Sequence, residues 1–370
     1  MITSPFAEQE RAAGAIFVEH VGVQLPEQYG NPDIEYRAAR AGAGLVDLTF
    51  HGMLALTGGE RLRWLNGQIS NEVKALKSGE GRLAAALTAK GHLLADLAVY
   101  GLPDSVWVDL PRERVEAVRD TFERHIIADD VQVEDLSDRF AHLMVVGPHA
   151  PQALAGTLGT EILDLPPWHH AEGRLDGVPL RIVASRWLAL PGFDVFVPID
   201  TAGQAWGSLL RCGREVGLRP VGMTALEWLR VEAGWPWFGV DFDENNLLME
   251  SLTPDHVSLT KGCYVGQEVV TRIEHQGHLN KKLYGLLLDG ISVPARGMPI
   301  RLGDRSVGHI TSAVRSPTLD RAIALGYVRR ECWERGVTVQ IGVLDSSLGA
   351  TVTPLPFVAG TTAARPAGAR

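Results

Sequence analysis

The sequence is poor in cysteine, and its cysteines do not form a recognisable metal or redox motif. The 370 residues include three, Cys212, Cys263 and Cys332, with no C-x-x-C pair. This sparse, odd-numbered set excludes a disulfide-stapled scaffold and a zinc ribbon. An iron–sulfur cubane held by one chain usually takes four thiolates, so we expect no stably bound iron–sulfur cluster. Such cysteine usage is typical of a reducing compartment.

Long hydrophobic runs and excess positive charge are also missing. No stretch reaches the ~18 apolar residues of a membrane span. The start, Met1 to Glu10, has no basic region followed by an apolar core. We therefore expect a cytoplasmic protein with no membrane partner and no secretory signal. The formal charge is -9, and no direct nucleic-acid partner is expected, because binding to the phosphate backbone needs clustered Lys and Arg.

The common signatures of nucleotide and metal enzymes do not occur. The sequence contains no G-x-x-x-x-G-K-[ST], no G-x-G-x-x-G after a strand, no H-E-x-x-H and no G-x-S-x-G. These absences leave a phosphate-binding loop, a zincin helix and a nucleophile elbow without support. The histidines are scattered, with His169-His170 the one adjacent pair, so no metal site is predicted.

The pattern of apolar residues predicts a mixed fold that ends in strands alone. Residues 1–40 read as polar and helical, and helices and strands then alternate up to residue 232. Strands are predicted at 81–88 and 93–101, with a hairpin turn between them, and also at 186–190. Residues 240–255 read as a polar connector. After Gly277, five short strands with Gly, Pro and Asp between them predict a separate β-barrel.

The sharpest local signal is a thiol framed by two glycines. It runs from Lys261 to Glu268 and reads K-G-C-Y-V-G-Q-E. Residues 267–276 are predicted helical, with Glu268 and Arg272 spaced as an i,i+4 ion pair. Cys263 is therefore predicted at or just before a helix N-terminus. There the helix dipole and Lys261 would favour a thiolate.

The local pattern leaves the part played by this thiol open. Either Cys263 is a more acidic and reactive thiol than an ordinary core cysteine, or it is a small buried apolar residue in a tight turn. Cys212 and Cys332 have no glycine frame, and we expect them to be structural.

The same segment resembles the signature of the YgfZ family. These are folate-binding relatives of the glycine cleavage T-protein (an aminomethyltransferase) that serve in assembly or repair of iron–sulfur proteins. Besides Cys263, the match rests on Lys261, Gly262, Tyr264, Gly266, Gln267, Glu268 and Arg272. The segment 229–239 is similar to the family's L-R-x-E-A-G-x-x-x-[YF]-G, and 308–312 to its G-x-[VI]-T-S turn. The resemblance extends over most of residues 30–345.

The resemblance implies an α+β fold, a three-domain T-protein-like ring with a C-terminal β-barrel. The first domain is split in sequence and binds folate, and the third is the barrel. The implied division is 1–50 plus 140–235 for domain 1, 51–139 for domain 2, 236–277 for a connector with the cysteine loop, 278–358 for the barrel and 359–370 for a disordered tail.

Tetrahydrofolate, or a one-carbon derivative of it, is the implied cofactor, and two carboxylates are carried over to its site. Asp96 in G-H-L-L-A-D-L matches the second acid of the T-protein segment G-G-x-x-D-D-L, while Ala95 replaces the first. Asp194 in G-F-D-V stands where the family has a Glu that binds the pterin ring. A carboxylate one methylene shorter still accepts two hydrogen bonds.

Each assignment has a structural alternative. Asp96 is otherwise an exposed strand-end carboxylate, and Asp194 a turn acid beside glycine. Arg230 either meets the glutamate tail of folate or pairs with Glu227 or Glu232 on its own helix.

The leading function that the resemblance implies is a tetrahydrofolate-binding accessory protein for iron–sulfur proteins. Cys263 is then the functional thiol, and the partners are iron–sulfur client or assembly proteins. The alternative is a folate-dependent aminomethyltransferase or methyltransferase of the T-protein type, with Asp96 catalytic. The cysteine loop, which T-proteins lack, favours the first. A third hypothesis is a partner in tRNA modification that binds RNA or a modifying enzyme, and the acidic charge disfavours direct RNA binding. The sequence leaves open whether the protein is an enzyme.

Overall fold

The computed structural model describes residues 1–158, 165–277, 279–342 and 347–359. The chain divides into two compact units. Unit 1 takes residues 1–50, 137–229 and the described end of the chain from 358, and unit 2 takes 51–136 and 230–357. Unit 2 therefore holds all but a few residues of the predicted domain 2 and of the predicted barrel, while the predicted domain boundaries stay predictions. The tail predicted at 359–370 lies outside the described residues except at its first position.

Helices and strands alternate up to Gln276, and strands follow. The strands are β1 (Ile2–Thr3), β2 (Ile16–His20), β3 (Val23–Gln28), β4 (Gly44–Asp47), β5 (His51–Thr57), β6 (Gly81–Leu87), β7 (Leu93–Gly101), β8 (Val106–Pro111), β9 (Gln132–Asp135), β10 (Phe140–Val146), β11 (His170–Leu175), β12 (Val178–Ser185), β13 (Gly192–Pro198), β14 (Arg219–Val221), β15 (Lys281–Leu288), β16 (Pro299–Leu302), β17 (Arg305–Ser316), β18 (Arg321–Arg329), β19 (Thr338–Ile341) and β20 (Leu348–Thr353). The α-helices are α1 (Ala7–Ala12), α2 (Pro32–Ala41), α3 (Arg61–Gln68), α4 (Val115–His125), α5 (Ala150–Leu158), α6 (Ala202–Cys212), α7 (Met223–Ala233), α8 (Leu248–Ser251) and α9 (Gln267–Gln276). The predicted α+β class is confirmed.

The main sheet of unit 1 has six strands in the order β11-β12-β13-β10-β4-β14. Its pairs are antiparallel except β4 with β14. One face carries side chains such as Leu143 and Val195, which pack in a core with Trp206 of α6. Because successive side chains of a strand point to opposite faces, Asp194 and His142 lie on the other face.

The first 40 residues contain more strand than the sequence indicates. The prediction of a helical segment is wrong here, because a three-stranded sheet in the order β1-β3-β2 forms beside α1 and α2. Val21 and Gly22 join β2 to β3 with φ of 42° and 79°. Two positive φ values are typical of a type I′ hairpin turn. Val at the first position gives no hint of it in sequence, since β-branched residues rarely adopt positive φ.

Unit 2 contains an antiparallel sheet in the order β6-β7-β8-β5-β9. Its core joins Leu97 and Val108 to Trp64 of α3 and Phe122 of α4. The predicted hairpin between β6 and β7 is confirmed, and Gly91 in its turn has φ of +76°.

The C-terminal part of unit 2 is a closed barrel in the order β15-β18-β17-β16-β19-β20. The predicted barrel is thus confirmed, with β20 as a further strand that the sequence did not indicate. The strand predicted at 186–190 is wrong. That segment is a turn with Ala189 at φ of 52°, and its apolar composition reflects burial rather than extension.

The segment predicted as a polar connector is largely packed. Within unit 2 it contains α8, and Phe238, Phe242 and Leu252 form a buried cluster with Leu87 and Leu93 of the neighbouring sheet. The cysteine loop therefore follows a structured segment rather than a free linker. None of the helices in the described part of the chain is both long and apolar enough to cross a membrane.

Candidate functional site

An acid sits inside the sheet of unit 2, on the face away from the sheet core. Ala95 and Leu97 of β7 and Val108 of β8 pack into that core. The alternation of side chains along a strand therefore turns Asp96 and Asp109 to the other face. The pairing of Ala98 with Asp109 keeps these two acids on neighbouring strands.

Asp96 is a buried carboxyl whose charge is poorly compensated. It is 9% exposed, and its Oδ1 has no hydrogen-bond partner among the described residues. Burial raises the pKa of Asp96 to about 6, while the neighbouring His51 lowers it and Asp109 raises it. The alternative of an exposed strand-end carboxylate is wrong, because Asp96 lies within β7 and is buried.

A histidine accompanies this acid, and sequence reasoning missed it. Nδ1 of His51, at the start of β5, lies 3.0 Å from Oδ1 of Asp109. A carboxylate only accepts, so Nδ1 carries the hydrogen. Asp109 is 1% exposed. An acid in the apolar run V-W-V-D-L was the available signal, since a buried carboxylate needs a partner.

Asp194, the second carboxylate that the resemblance assigns to folate, lies in unit 1. It is fully buried inside β13, so the alternative of a turn acid is wrong. Its Oδ2 accepts a hydrogen bond of 2.7 Å from Nε1 of Trp187. Its Oδ1 has no hydrogen-bond partner among the described residues, and Nε2 of His142 lies 3.9 Å away. A buried oxygen in this state is suited to accept from a bound donor.

Arg230 has partners that the sequence did not indicate. Its guanidinium is fully buried and donates to Oδ2 of Asp241 and to Oγ of Ser312, each at 2.6 Å. Thr311 donates to the other oxygen of Asp241 at 2.6 Å, and the guanidinium lies over the ring of Trp237. The predicted contact with the folate tail is therefore not supported, because the guanidinium is enclosed in this network.

The cysteine loop is anchored by Lys261. Nζ of Lys261 donates to the main-chain carbonyls of Asn66, Ile69 and Asn71 at 2.6, 2.8 and 2.7 Å. Burial lowers the pKa of this ammonium to about 8. The expectation that Lys261 lends its charge to the thiol is not supported, because its three donors are directed at α3 and the segment after it.

The thiol itself is accessible. Cys263 is exposed, so the alternative of a buried apolar residue is wrong. Helix α9 begins at Gln267, with Gly266 as its N-cap. Cys263 precedes the first turn, where the dipole effect is concentrated. The predicted ion pair is confirmed, with Nη2 of Arg272 2.7 Å from Oε1 of Glu268.

The loop and the β6–β7 hairpin meet at two glycines. A Cβ at Gly266 would lie 2.7 Å from the carbonyl oxygen of Thr88, and one at Gly91 would lie 2.7 Å from Cβ of Val269. Both positions thus need glycine for the close approach. An open cleft of about 560 Å³ lies here, and its lining includes Tyr264 to Glu268 of the loop and His125 of α4.

Two ranges of the chain match known domain families. Residues 6–261 match the GCVT N-terminal domain, and residues 281–359 match the glycine cleavage T-protein C-terminal barrel domain. Apart from Lys261, the cysteine loop lies between the two matched ranges.

The chain is also similar to named proteins over nearly its whole length. It is 31% identical to an aminomethyltransferase of Rubrobacter xylanophilus, over 96% of this chain and 93% of that protein. It is 28% identical to an aminomethyltransferase of Halothermothrix orenii, over 97% and 100%. In fold it resembles the glycine cleavage system aminomethyltransferase T of Bartonella henselae, with a TM-score of 0.88, 23% identity and coverage of 97% and 98%.

These similarities confirm the predicted relation to the T-protein, whereas membership of the YgfZ branch stays a prediction. Because the GCVT N-terminal domain by itself spans residues 6–261 of the 370, this chain belongs to the glycine cleavage T-protein family.

Proposed function

We propose that this protein binds tetrahydrofolate and transfers a one-carbon unit to it, as an aminomethyltransferase of the T-protein type. The two relatives that match nearly its whole length carry that name. The observation that carries the proposal is Asp96, a buried carboxyl with an unpartnered oxygen in the described structure and a pKa raised to about 6. Residues with such shifted pKa values concentrate at catalytic sites.

Asp194 supports folate binding in unit 1. The 2-amino-pyrimidinone edge of a pterin presents N–H donors, and a carboxylate is a strong acceptor for them. Oδ1 of Asp194 is buried and has no hydrogen-bond partner among the described residues, so a pterin donor would remove the cost of its desolvation. Trp187 already donates to Oδ2 and orients the carboxylate. The residues present thus fit the pterin.

Asp96 supports the transfer step itself. A folate nitrogen that forms a new bond to carbon must lose a proton. Asp96, with a pKa of about 6, is mostly ionised at pH 7 and is suited to accept it. The transfer is complete when one folate nitrogen displaces the carrier sulfur and a second displaces the amine, and the protonated carboxyl can return its proton to a departing group. Ala95 replaces the first acid of the T-protein segment, so we assign proton transfer to Asp96 alone.

Two conservative variants separate binding from transfer. Asp194→Asn should weaken tetrahydrofolate binding by about tenfold to a hundredfold, because an amide presents its N–H₂ to the pterin donors. Asp96→Asn should lower kcat by about 10²- to 10⁴-fold and change the Kd less. Binding is measured by calorimetry, and turnover with an aminomethyl-loaded lipoyl carrier protein.

Exposed acids provide matched controls for both measurements. Asp104→Asn in unit 2 and Asp200→Asn in unit 1 should leave both constants unchanged, since both side chains are exposed. Native protein that binds no tetrahydrofolate would contradict the proposal.

A second candidate function rests on the exposed thiol. Apart from Lys261, the loop K-G-C-Y-V-G-Q-E lies outside the two ranges that match the T-protein domain families. Burial raises the pKa of the thiols of Cys212 and Cys332, whereas Cys263 is exposed. The candidate is the YgfZ-type role, in which Cys263 transiently ligates iron or exchanges with a partner thiol during assembly or repair of iron–sulfur proteins.

Complementation tests this candidate. In a strain that lacks the gene, Cys263→Ala should fail to restore the activity of [4Fe-4S] enzymes, whereas Cys212→Ala should restore it as the native chain does. Protein levels are compared by immunoblot, so that a loss of rescue is not a loss of protein. Full rescue by Cys263→Ala would remove the thiol role and leave the transferase as the remaining candidate.

A further inference from the structure

The ion pair beside Asp96 suggests how the charge of this acid is set. We propose that His51, held by Asp109, is a positioning residue that keeps Asp96 ionised at neutral pH. The inference deepens the proposed function and rests on it, because Asp96 must be ionised to accept a proton from folate. Neither His51 nor Asp109 belongs to the motif matches in the sequence.

The strand pairing explains why these three side chains meet. On β5, Leu54 and Leu56 pack into the sheet core, so the odd-numbered His51 and Met53 point to the other face. Met53 pairs with Asp109 on β8. The register of β5, β8 and β7 thus brings His51, Asp109 and Asp96 to one face of one sheet, and rigid strands hold them in place.

The charged groups around Asp96 shift its pKa in opposite directions. Among the described residues, the charged groups that act on its carboxyl are His51 from β5 and Asp109 from β8, and its partner on β6 is the uncharged Ala85. A carboxylate that accepts the Nδ1–H of an imidazole stabilises the cationic ring. The pair then presents no net charge to Asp96, and the repulsion from Asp109 is compensated.

Replacement of His51 and replacement of Asp109 should therefore change the pKa of Asp96 by different amounts. His51→Gln leaves an uncompensated carboxylate beside Asp96, and like charges favour the protonated acid. Asp109→Asn removes the repelling anion, and with it the group that holds His51 cationic, so the two changes offset one another. A loss of packing alone would instead act in the same direction in both variants.

Nuclear magnetic resonance of the full chain provides the direct test. The protein is labelled with ¹³C at the aspartate carboxyls, and the Asp96 signal is assigned with Asp96→Asn. His51→Gln should raise the titration midpoint of Asp96 by about one pH unit, which is about a tenfold change in its protonation equilibrium. Asp109→Asn should raise it much less. His275→Gln, an exposed histidine in the same unit, is the control and should leave it unchanged.

Kinetics provides the second readout. The acidic limb of kcat/KM for tetrahydrofolate should move to higher pH in His51→Gln by the same amount as the Asp96 midpoint. A purely structural role would lower activity at all pH values without moving the limb. His51→Arg, which retains a cation, should keep the limb near its native position.

The outcomes separate this inference from the proposed function. An unchanged Asp96 midpoint in His51→Gln, or equal upward shifts in His51→Gln and Asp109→Asn, would overturn the inference even if the enzyme transfers one-carbon units. A shifted midpoint in a protein that transfers none would overturn the proposed function and leave the electrostatic link intact. If His51→Gln does not fold, His51→Arg and Asp109→Asn still test it, because a midpoint raised by about one pH unit in either variant overturns it.

Discussion

Lys261 is a buried cation whose partners are neutral carbonyls. Its three hydrogen bonds hold the start of the cysteine loop against residues 66–71, almost two hundred positions earlier in the chain. From sequence, Lys261 reads as a charge beside a thiol, because only its immediate neighbours are visible. The same limit applies to Arg230 and to His51, since Ser312 and Asp109 are distant in sequence. Asp96 and Asp194, by contrast, stand in short segments whose resemblance to the family points to them directly.

Replacement of Lys261 should destabilise the protein without removing the thiol. Lys261→Met keeps the length of the stem but leaves three buried carbonyls without their donor, so we expect a loss of about 2–4 kcal/mol in the free energy of unfolding. Urea unfolding followed by fluorescence measures it. Lys90→Met, at an exposed turn position, should change the stability by less than about 0.5 kcal/mol. An equal effect of the two variants would contradict the anchoring role.

Elements with strong local sequence signals have the predicted bounds, whereas the sequence mispredicts elements whose conformation depends on distant contacts. Helix α9 begins at Gln267 and ends at Gln276, as its ion pair and the following Gly277 indicate. The β2–β3 hairpin was missed because its turn uses Val21 instead of Asn or Gly. The sequence around Ala189 predicts a strand although the segment is a turn, because buried apolar residues are common to both.

Two of the sequence segments that resemble the family are in contact in the structure. The segment 229–239 and residues 308–312 of strand β17 meet through Arg230 and Asp241, which contact Ser312 and Thr311. Glu232 of the same segment accepts from Ser316 of β17. A fully buried ion pair of this kind costs several kcal/mol if one partner is lost. Its residues therefore hold the barrel to the preceding segment, and a structural need explains these motifs without a ligand.

At the scale of the whole molecule, the dependence of stability on pH follows from buried acids outside the candidate site. In unit 1, Glu10 of α1 is buried beside Asp47, and the hydroxyl of Tyr29 donates to Oε1 of Glu10 at 3.3 Å. Burial and the nearby Asp47 carboxylate raise the pKa of Glu10 from 4.5 to about 9. Burial also raises the pKa of Asp47 and of Tyr29. Glu10 is therefore neutral in the folded protein at pH 7.

The sign of the effect on stability follows from linkage. Between pH 4.5 and about 9 the folded state retains the proton on Glu10, whereas the unfolded state has lost it. The contribution of Glu10 is thus fully present below pH 4.5 and is lost as the pH rises through 9. Glu10→Gln keeps the neutral shape and removes the titration. It should therefore be more stable than the native chain at pH 8, on the order of 1–3 kcal/mol, with little difference at pH 4.5.

Urea unfolding at pH 4.5, 6 and 8 measures this difference. Comparison of the variant with the native chain at each pH isolates Glu10 from Asp96, whose pKa is also raised and whose contribution is the same in both proteins. Glu8→Gln, on the same helix but exposed, is the matched control and should follow the native curve. If the free energy of unfolding of Glu10→Gln differs from that of the native chain by the same amount at pH 4.5, 6 and 8, Glu10 has the same pKa in the folded and unfolded states. That result would contradict the prediction that neutral Glu10 stabilises the packing of α1 against β4.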